Sequence, residues 1–183
     1  MVNMNVVQPI RDKELLQEIK HTLKQRNERN YMLFLLGTNT ALRISDILKL
    51  KVKDVEGWYI TIREQKTNKH KKVKMTMELK REIQKYIQNK DKHEYLFKSR
   101  QGKNKPITRS AAYKVLRQIG EEFDLEEFSC HSLRKTFGYH FYKQHQDIVS
   151  IQKLLNHTDP KVTLRYIGIE QEELDDMMTK TKI

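Results

Sequence analysis

Two side chains three residues apart carry the sharpest chemical signal in this chain. In His131-Ser132-Leu133-Arg134 the i and i+3 spacing puts an imidazole and a guanidinium on one helix face while Leu133 points elsewhere, and such a pair can grip one phosphate. Alone the pair is weak evidence, because a surface His-x-x-Arg arises readily by chance. The residues around it add weight: His157, Thr163 and Tyr166 follow downstream, and Arg43, Asp46 and Lys66 stand upstream. A metal centre is not indicated. His131, His140, His145 and His157 form no His-Glu-x-x-His arrangement, and a lone cysteine, Cys130, permits neither an internal disulfide nor a Cys-pair zinc site. Cys130 reads as a small packed residue in a reducing compartment.

Hydrophobic periodicity supplies the elements that must position these groups. Leu15, Leu16, Ile19 and Leu23 recur at helical spacing, and a second apolar segment runs from Tyr31 through Leu36 to a stop at Gly37. Ile44, Ile47 and Leu48 mark a third helix, with Arg43 at its N-terminal edge and Asp46 off the apolar stripe. From Trp58 the pattern alternates, with Trp58, Ile60 and Ile62 on one face, answered by Val73 and Met75; this predicts an antiparallel hairpin over residues 58–76 with Lys66 and Lys69 near its tip. Leu79, Ile83, Tyr86 and Ile87 define another helix, as do Ala111, Ala112, Val115, Leu116 and Ile119, and everything from His131 onward reads as helical. The fold class is therefore α+β, mainly α-helical, with one small antiparallel sheet. At 183 residues the chain is one compact unit, without internal repeats or a low-complexity linker.

Charge narrows the partner. Lys and Arg exceed Asp and Glu by 12, and a strongly basic domain suits a polyanion, nucleic acid first. The excess is segregated: residues 49–74 hold nine bases against three acids and residues 98–117 hold seven against none, so Lys69, Lys71, Lys72, Lys74, Lys103, Lys105 and Arg109 are candidate phosphate contacts. Residues 170–178 carry five acids and no base, which suits a tail that docks on protein. No apolar run approaches the ~20 residues that span a bilayer, and the first ten residues lack the pattern of a secretory signal, so no membrane role and a cytoplasmic location are expected.

Taken in order, Arg43, Lys66, His131 with Arg134, His157 and Tyr166 resemble the signature of the tyrosine recombinase family, also called phage integrases: Arg, Lys, His-x-x-Arg, His or Trp, and Tyr. The resemblance runs from about Asp12 to the C-terminus and covers the family's catalytic domain. Ala41 and Asn156 stand where many members have glycine. Most members also carry an N-terminal helical domain that closes the other half of a clamp round DNA, for which this chain has no room.

The resemblance implies a reaction and roles. Tyr166 would attack a phosphodiester of double-stranded DNA, leaving a 3′-phosphotyrosyl link and a free 5′-hydroxyl that later attacks the partner strand's link. One ester replaces another, so neither ATP, a metal nor another cofactor is implied. A phenol of ordinary pKa near ~10 needs help, and two arginines offer planar donor forks to the non-bridging oxygens where charge builds; lysine cannot copy that geometry. Arg43 and Arg134 take that part, with Asp46 orienting Arg43. Lys66, 23 residues after Arg43, would protonate the departing oxygen. His131 would accept the tyrosine proton or bind phosphate, and His157 would donate to a non-bridging oxygen. Tyr166 follows His157 by nine residues, the family's usual interval, whereas Tyr139 and Tyr142 share an aromatic packing segment with Phe137 and Phe141.

A homotetramer on DNA, and a monomer or weak oligomer when free, is also implied, with the tail at 170–183 docking through Leu174, Met177 and Met178 either in cis or on a neighbouring subunit. Two rivals keep the fold: a DNA-binding regulator that does not cleave, and a type IB topoisomerase that reseals the same strand.

Overall fold

The computed structural model describes residues 7–63 and 70–181, with the side chains of Gln171 and Leu174 outside that description. Helix α1 spans Lys13–Arg26 and opens on Asp12, whose carboxylate accepts from the Glu14 and Leu15 amides. Helix α2, Glu28–Asn39, is capped by Asn27 and buries every residue from Tyr31 to Gly37. A helix apolar all round belongs at the centre of a fold. It continues two residues beyond the expected stop at Gly37, because that glycine serves packing rather than termination: a Cβ there would lie 2.5 Å from Leu133 Cδ1.

Helix α3 is short, Ile44–Ile47, and a single 3-10 turn follows at Val52–Asp54. Strands β1, Tyr59–Arg63, and β2, His70–Lys74, pair antiparallel with Ile60 opposite Val73 and Ile62 opposite Lys71. Ile60, Ile62 and Met75 are buried as the alternation predicts. Trp58 is not: it precedes the first paired residue, where the pleat no longer sets its side, and it stays 49% exposed. Helices α4, Met77–Ile87, and α5, Arg109–Glu122, complete the main body, each opened by a threonine cap.

Helix α6, Cys130–His145, packs against α2 through Leu133 and then leaves the main core. Its second half joins α7, Ile148–Leu155, α8, Pro160–Ile167, and α9, Ile169–Lys180. Here Tyr139, Ile151, Leu155, Ile167 and Ile169 form a smaller apolar cluster with Ala41. Gly138 allows α8 close to α6; a Cβ would meet Ile167 Cγ2 at 2.6 Å. The start of α9 is held within the chain: Ile169 is buried and Glu172 pairs with Lys143 at 2.6 Å and Arg11 at 3.7 Å, whereas Met177 and Met178 face solvent. No described helix is long and apolar enough to cross a membrane.

Candidate active site

Arg43 owes its place to a break in helical structure. The Thr40 hydroxyl donates to Leu36 O at the end of α2, Ala41 and Leu42 are buried, and Arg43 in extended conformation then caps α3. Its half-buried side chain faces the N-terminal turn of α6. That turn is opened by Ser129, whose amide donates to Ser132 Oγ at 2.9 Å and whose hydroxyl accepts from the His131 amide. His131 lies in the first turn and Arg134 one turn in, as the i and i+3 spacing requires.

Arg134 is only 5% exposed, and its Nη2 donates to Leu155 O at 2.6 Å. The preceding carbonyl, Leu154 O, accepts from Lys71 Nζ of β2 at 2.7 Å. Two consecutive carbonyls at the end of α7, the groups a helix C-terminus leaves unsatisfied, are thus capped by cations from a strand and from another helix. Asn156 follows in left-handed conformation, φ 51°, and the His157 amide bonds back to Gln152 O at 3.0 Å. This Schellman-type stop favours glycine or asparagine, and Asn156 meets that requirement.

The stop delivers His157 to the cavity. Its Nδ1 meets Thr163 Oγ1 at 3.1 Å, and the same hydroxyl donates to Asp159 O at 3.2 Å. Asp159 caps α8, Pro160 occupies its first turn, and Tyr166 emerges three residues after Thr163 on the same face. The His157 ring meets the Tyr166 ring edge-on, centroids 5.0 Å apart at 85°.

Arg43, His131, Arg134, His157 and Tyr166 therefore line one cavity of about 300 Å³, although the first and last are 123 positions apart in the chain. A larger recess of about 750 Å³ beside the C-terminal end of α5 holds none of them and is edged by Glu121, Asp124, Glu126 and Glu127, the wrong sign for a phosphate. Chemistry, not volume, marks the site. Lys66 and Lys69 lie outside the described residues. Asp46 is 3% exposed rather than off the core, and lines the neighbouring recess between α3 and the hairpin. Lys72, Lys74, Lys103 and Lys105 are exposed, as phosphate contacts should be, while Lys71 is half-buried and occupied by Leu154 O.

Electrostatics suit an anion. Burial pushes the Tyr166 phenol above its ordinary value, and Arg134 and Arg43 pull it back. Burial lowers both histidines of the cavity, aided by Arg109, Lys135 and Arg134 at His131 and by Arg134 and Arg43 at His157, so each is neutral at pH 7. A neutral His131 is free to take a proton.

Arg109 joins the cavity wall from the first turn of α5. Its charge marked it only as one base in a run, and nothing in its spacing tied it to His131. Among the described residues no cluster of His, Cys, Asp or Glu is arranged to hold a metal.

The sequence pattern of the phage integrase family matches residues 10–173. A Bacillus subtilis (strain 168) protein named "Probable integrase/recombinase YoeC" is 48% identical over 92% of this chain and 93% of its own length. Tyrosine recombinase XerA of Thermococcus kodakarensis is 32% identical over 93% of this chain, which spans only 60% of that protein. The crystal structure of a XerA recombinase superposes with a TM-score of 0.75 at 21% identity, covering 96% of this chain and 67% of that one; at such identity it shows the fold.

Proposed function

The chain belongs to the phage integrase family and is a tyrosine recombinase acting on DNA; from that premise we propose that Tyr166 is its nucleophile and that Arg43, His131, Arg134 and His157 hold the scissile phosphate. The convergence of these five groups on one cavity carries the reading. Tyr166 Oη attacks phosphorus, its proton passes to neutral His131, and the bond to the 5′-oxygen breaks as the 3′-phosphotyrosyl bond forms. Lys66, from the stretch between β1 and β2, supplies the proton that the departing 5′-oxygen needs. Charge building on the non-bridging oxygens meets two guanidinium forks and the imidazole of His157, and Asp46 supports Arg43 from behind. The free 5′-hydroxyl then attacks the equivalent link of a partner strand, and the energy of each ester is kept, so no ATP is called for, while the two arginines supply the charge stabilisation for which a metal would otherwise serve.

Exposed Lys72, Lys74, Lys103 and Lys105, with Arg109 at the cavity rim, hold the duplex by its phosphates. Four copies assemble on two duplexes in the cytoplasm, with the exposed Met177 and Met178 end of α9 available to a neighbouring subunit.

A nicked suicide duplex tests the reading. The chain should form a denaturant-resistant DNA adduct with chelator present, and Tyr166→Phe should abolish it; an adduct that survives the substitution overturns the assignment.

A further inference from the structure

We propose that Lys135 is a positioning residue for the nucleophile, holding the Tyr166 ring from outside the cavity that Arg43 and Arg134 line. The inference rests on the function just proposed for Tyr166. Lys135 follows Arg134 directly, and neighbours on a helix point to different faces. Arg134 enters the cavity, while Lys135, 8% exposed, places Nζ 5.2 Å from the centroid of the Tyr166 ring. On another side the same ring takes the edge of His157 at 5.0 Å. The nucleophile is thereby gripped between α6 and the turn that follows α7.

Lys135 is itself fixed. Its Nζ donates to Val7 O at 2.7 Å, and that segment is fastened to α6 by the Ile10 amide donating to Thr136 Oγ1 and by His140 Nε2 bonding Ile10 O, both at 2.9 Å. A desolvated ammonium ion over an aromatic face attracts it, and attracts it more strongly as negative charge grows on the ring during attack. Burial lowers the Lys135 ammonium, and Arg11 lowers it further. The charged groups facing Tyr166 are Arg43 from the start of α3 and Arg134 and Lys135 from α6, and the titratable groups beside it are His131 from the first turn of α6 and His157 from the turn after α7; Arg11 faces Lys135 from the N-terminal segment.

The test compares Lys135→Met and Lys135→Arg in the whole chain. Single-turnover cleavage of a nicked suicide duplex should fall about tenfold to thirtyfold in Lys135→Met, the range of a desolvated cation–ring contact. DNA affinity should stay near that of the parent, the thermal midpoint should fall modestly with the lost bond to Val7 O, and, with all rates read well below that midpoint, Lys135→Arg should restore most of the rate. A duplex with sulfur in place of the bridging 5′-oxygen needs no acid at the leaving group, so it should leave the Lys135→Met deficit in place. Trifluorotyrosine at position 166 gives a readout that needs no cleavage: its 19F titration midpoint should rise in Lys135→Met and return in Lys135→Arg. If Lys135→Met fails to fold, Lys135→Gln takes its place. A parent-like rate, a Lys135→Arg variant as slow as Lys135→Met, rescue by the sulfur duplex or an unmoved midpoint each overturns the proposal. A midpoint that moves as expected in a chain that forms no adduct upholds the contact and overturns the reaction assigned to Tyr166.

Discussion

The main body and the C-terminal cluster are packed by different rules. In the main body α2 is buried from Tyr31 through Gly37, and the one ionisable group in that stretch is tied down inside: Tyr31 donates to Glu82 Oε2 at 3.3 Å, as Lys24 of α1 does at 2.6 Å, and burial and that carboxylate push the Tyr31 phenol up to about 12. In the C-terminal cluster a handful of buried side chains carry three helices, and the polar groups beside them, His157, Arg134 and Tyr166, point into a cavity. Arg43 comes from the main body, His157 and Tyr166 from the smaller cluster, and His131 and Arg134 from the helix that joins them. The site occupies the seam, where polar side chains that are held by the fold, as Arg134 is by Leu155 O and His157 by Thr163, also border a cavity.

Substitutions should separate the two regions. The largest effect belongs to the seam: Arg134→Ala removes both the proposed phosphate ligand and the cap on Leu155 O, and should lower single-turnover cleavage by about a thousandfold with a measurable fall in thermal midpoint. Arg43→Ala, half-buried and at a helix start, should cost similar rate with less stability. Equal thermal losses for the pair would contradict a dual role for Arg134.

Next come two glycines with the same substitution. Gly37→Ala drives a methyl group into Leu133 inside the main core, and Gly138→Ala drives one into Ile167 beneath α8. Each should cost about 1–3 kcal/mol in denaturant melts. Only Gly138→Ala should slow cleavage beyond its stability loss, because Ile167 adjoins Tyr166; matched activities at matched stability would erase the distinction.

Acidification gives the smallest effect. Burial holds His131, His140 and His157 below the ordinary value of 6.5, so the unfolded chain binds more protons as pH falls below that value. The stability their neutral forms supply is present above pH 6.5 and is lost as pH drops toward their folded values. Hydrogen-exchange protection, taken relative to the intrinsic rate at each pH, should fall in α7 and α8 before α2 between pH 7 and pH 5.5; a uniform change would refute the regional difference.

Much of this was legible in the sequence because its signals were local. Helical spacing located α1, α4 and α5, alternation located the hairpin, and the His131–Arg134 interval survived because one helix carries both. Other features depend on what packs above a residue. Asp46 reads as solvent-facing until the hairpin is laid over α3, and Trp58 reads as core until the strand is seen to begin one residue later. Lys71 looks like any base in a basic run, yet its ammonium is committed to a helix end 83 positions away. Arg109 and Lys135 owe their places beside the site to tertiary contact alone, with no interval in the chain to announce them.

Because α6 is shared by both apolar clusters, no contiguous piece of the polypeptide owns a finished site. Severed in the loop between α5 and α6, the chain would yield one fragment bearing Arg43 and another bearing the remaining four groups, with the face of α6 that α2 covers left bare on the second. Each half would be mute alone, and reassembly of the pair would announce itself as broken DNA, which makes the loop before this helix a natural place to divide the molecule into a conditional cutter.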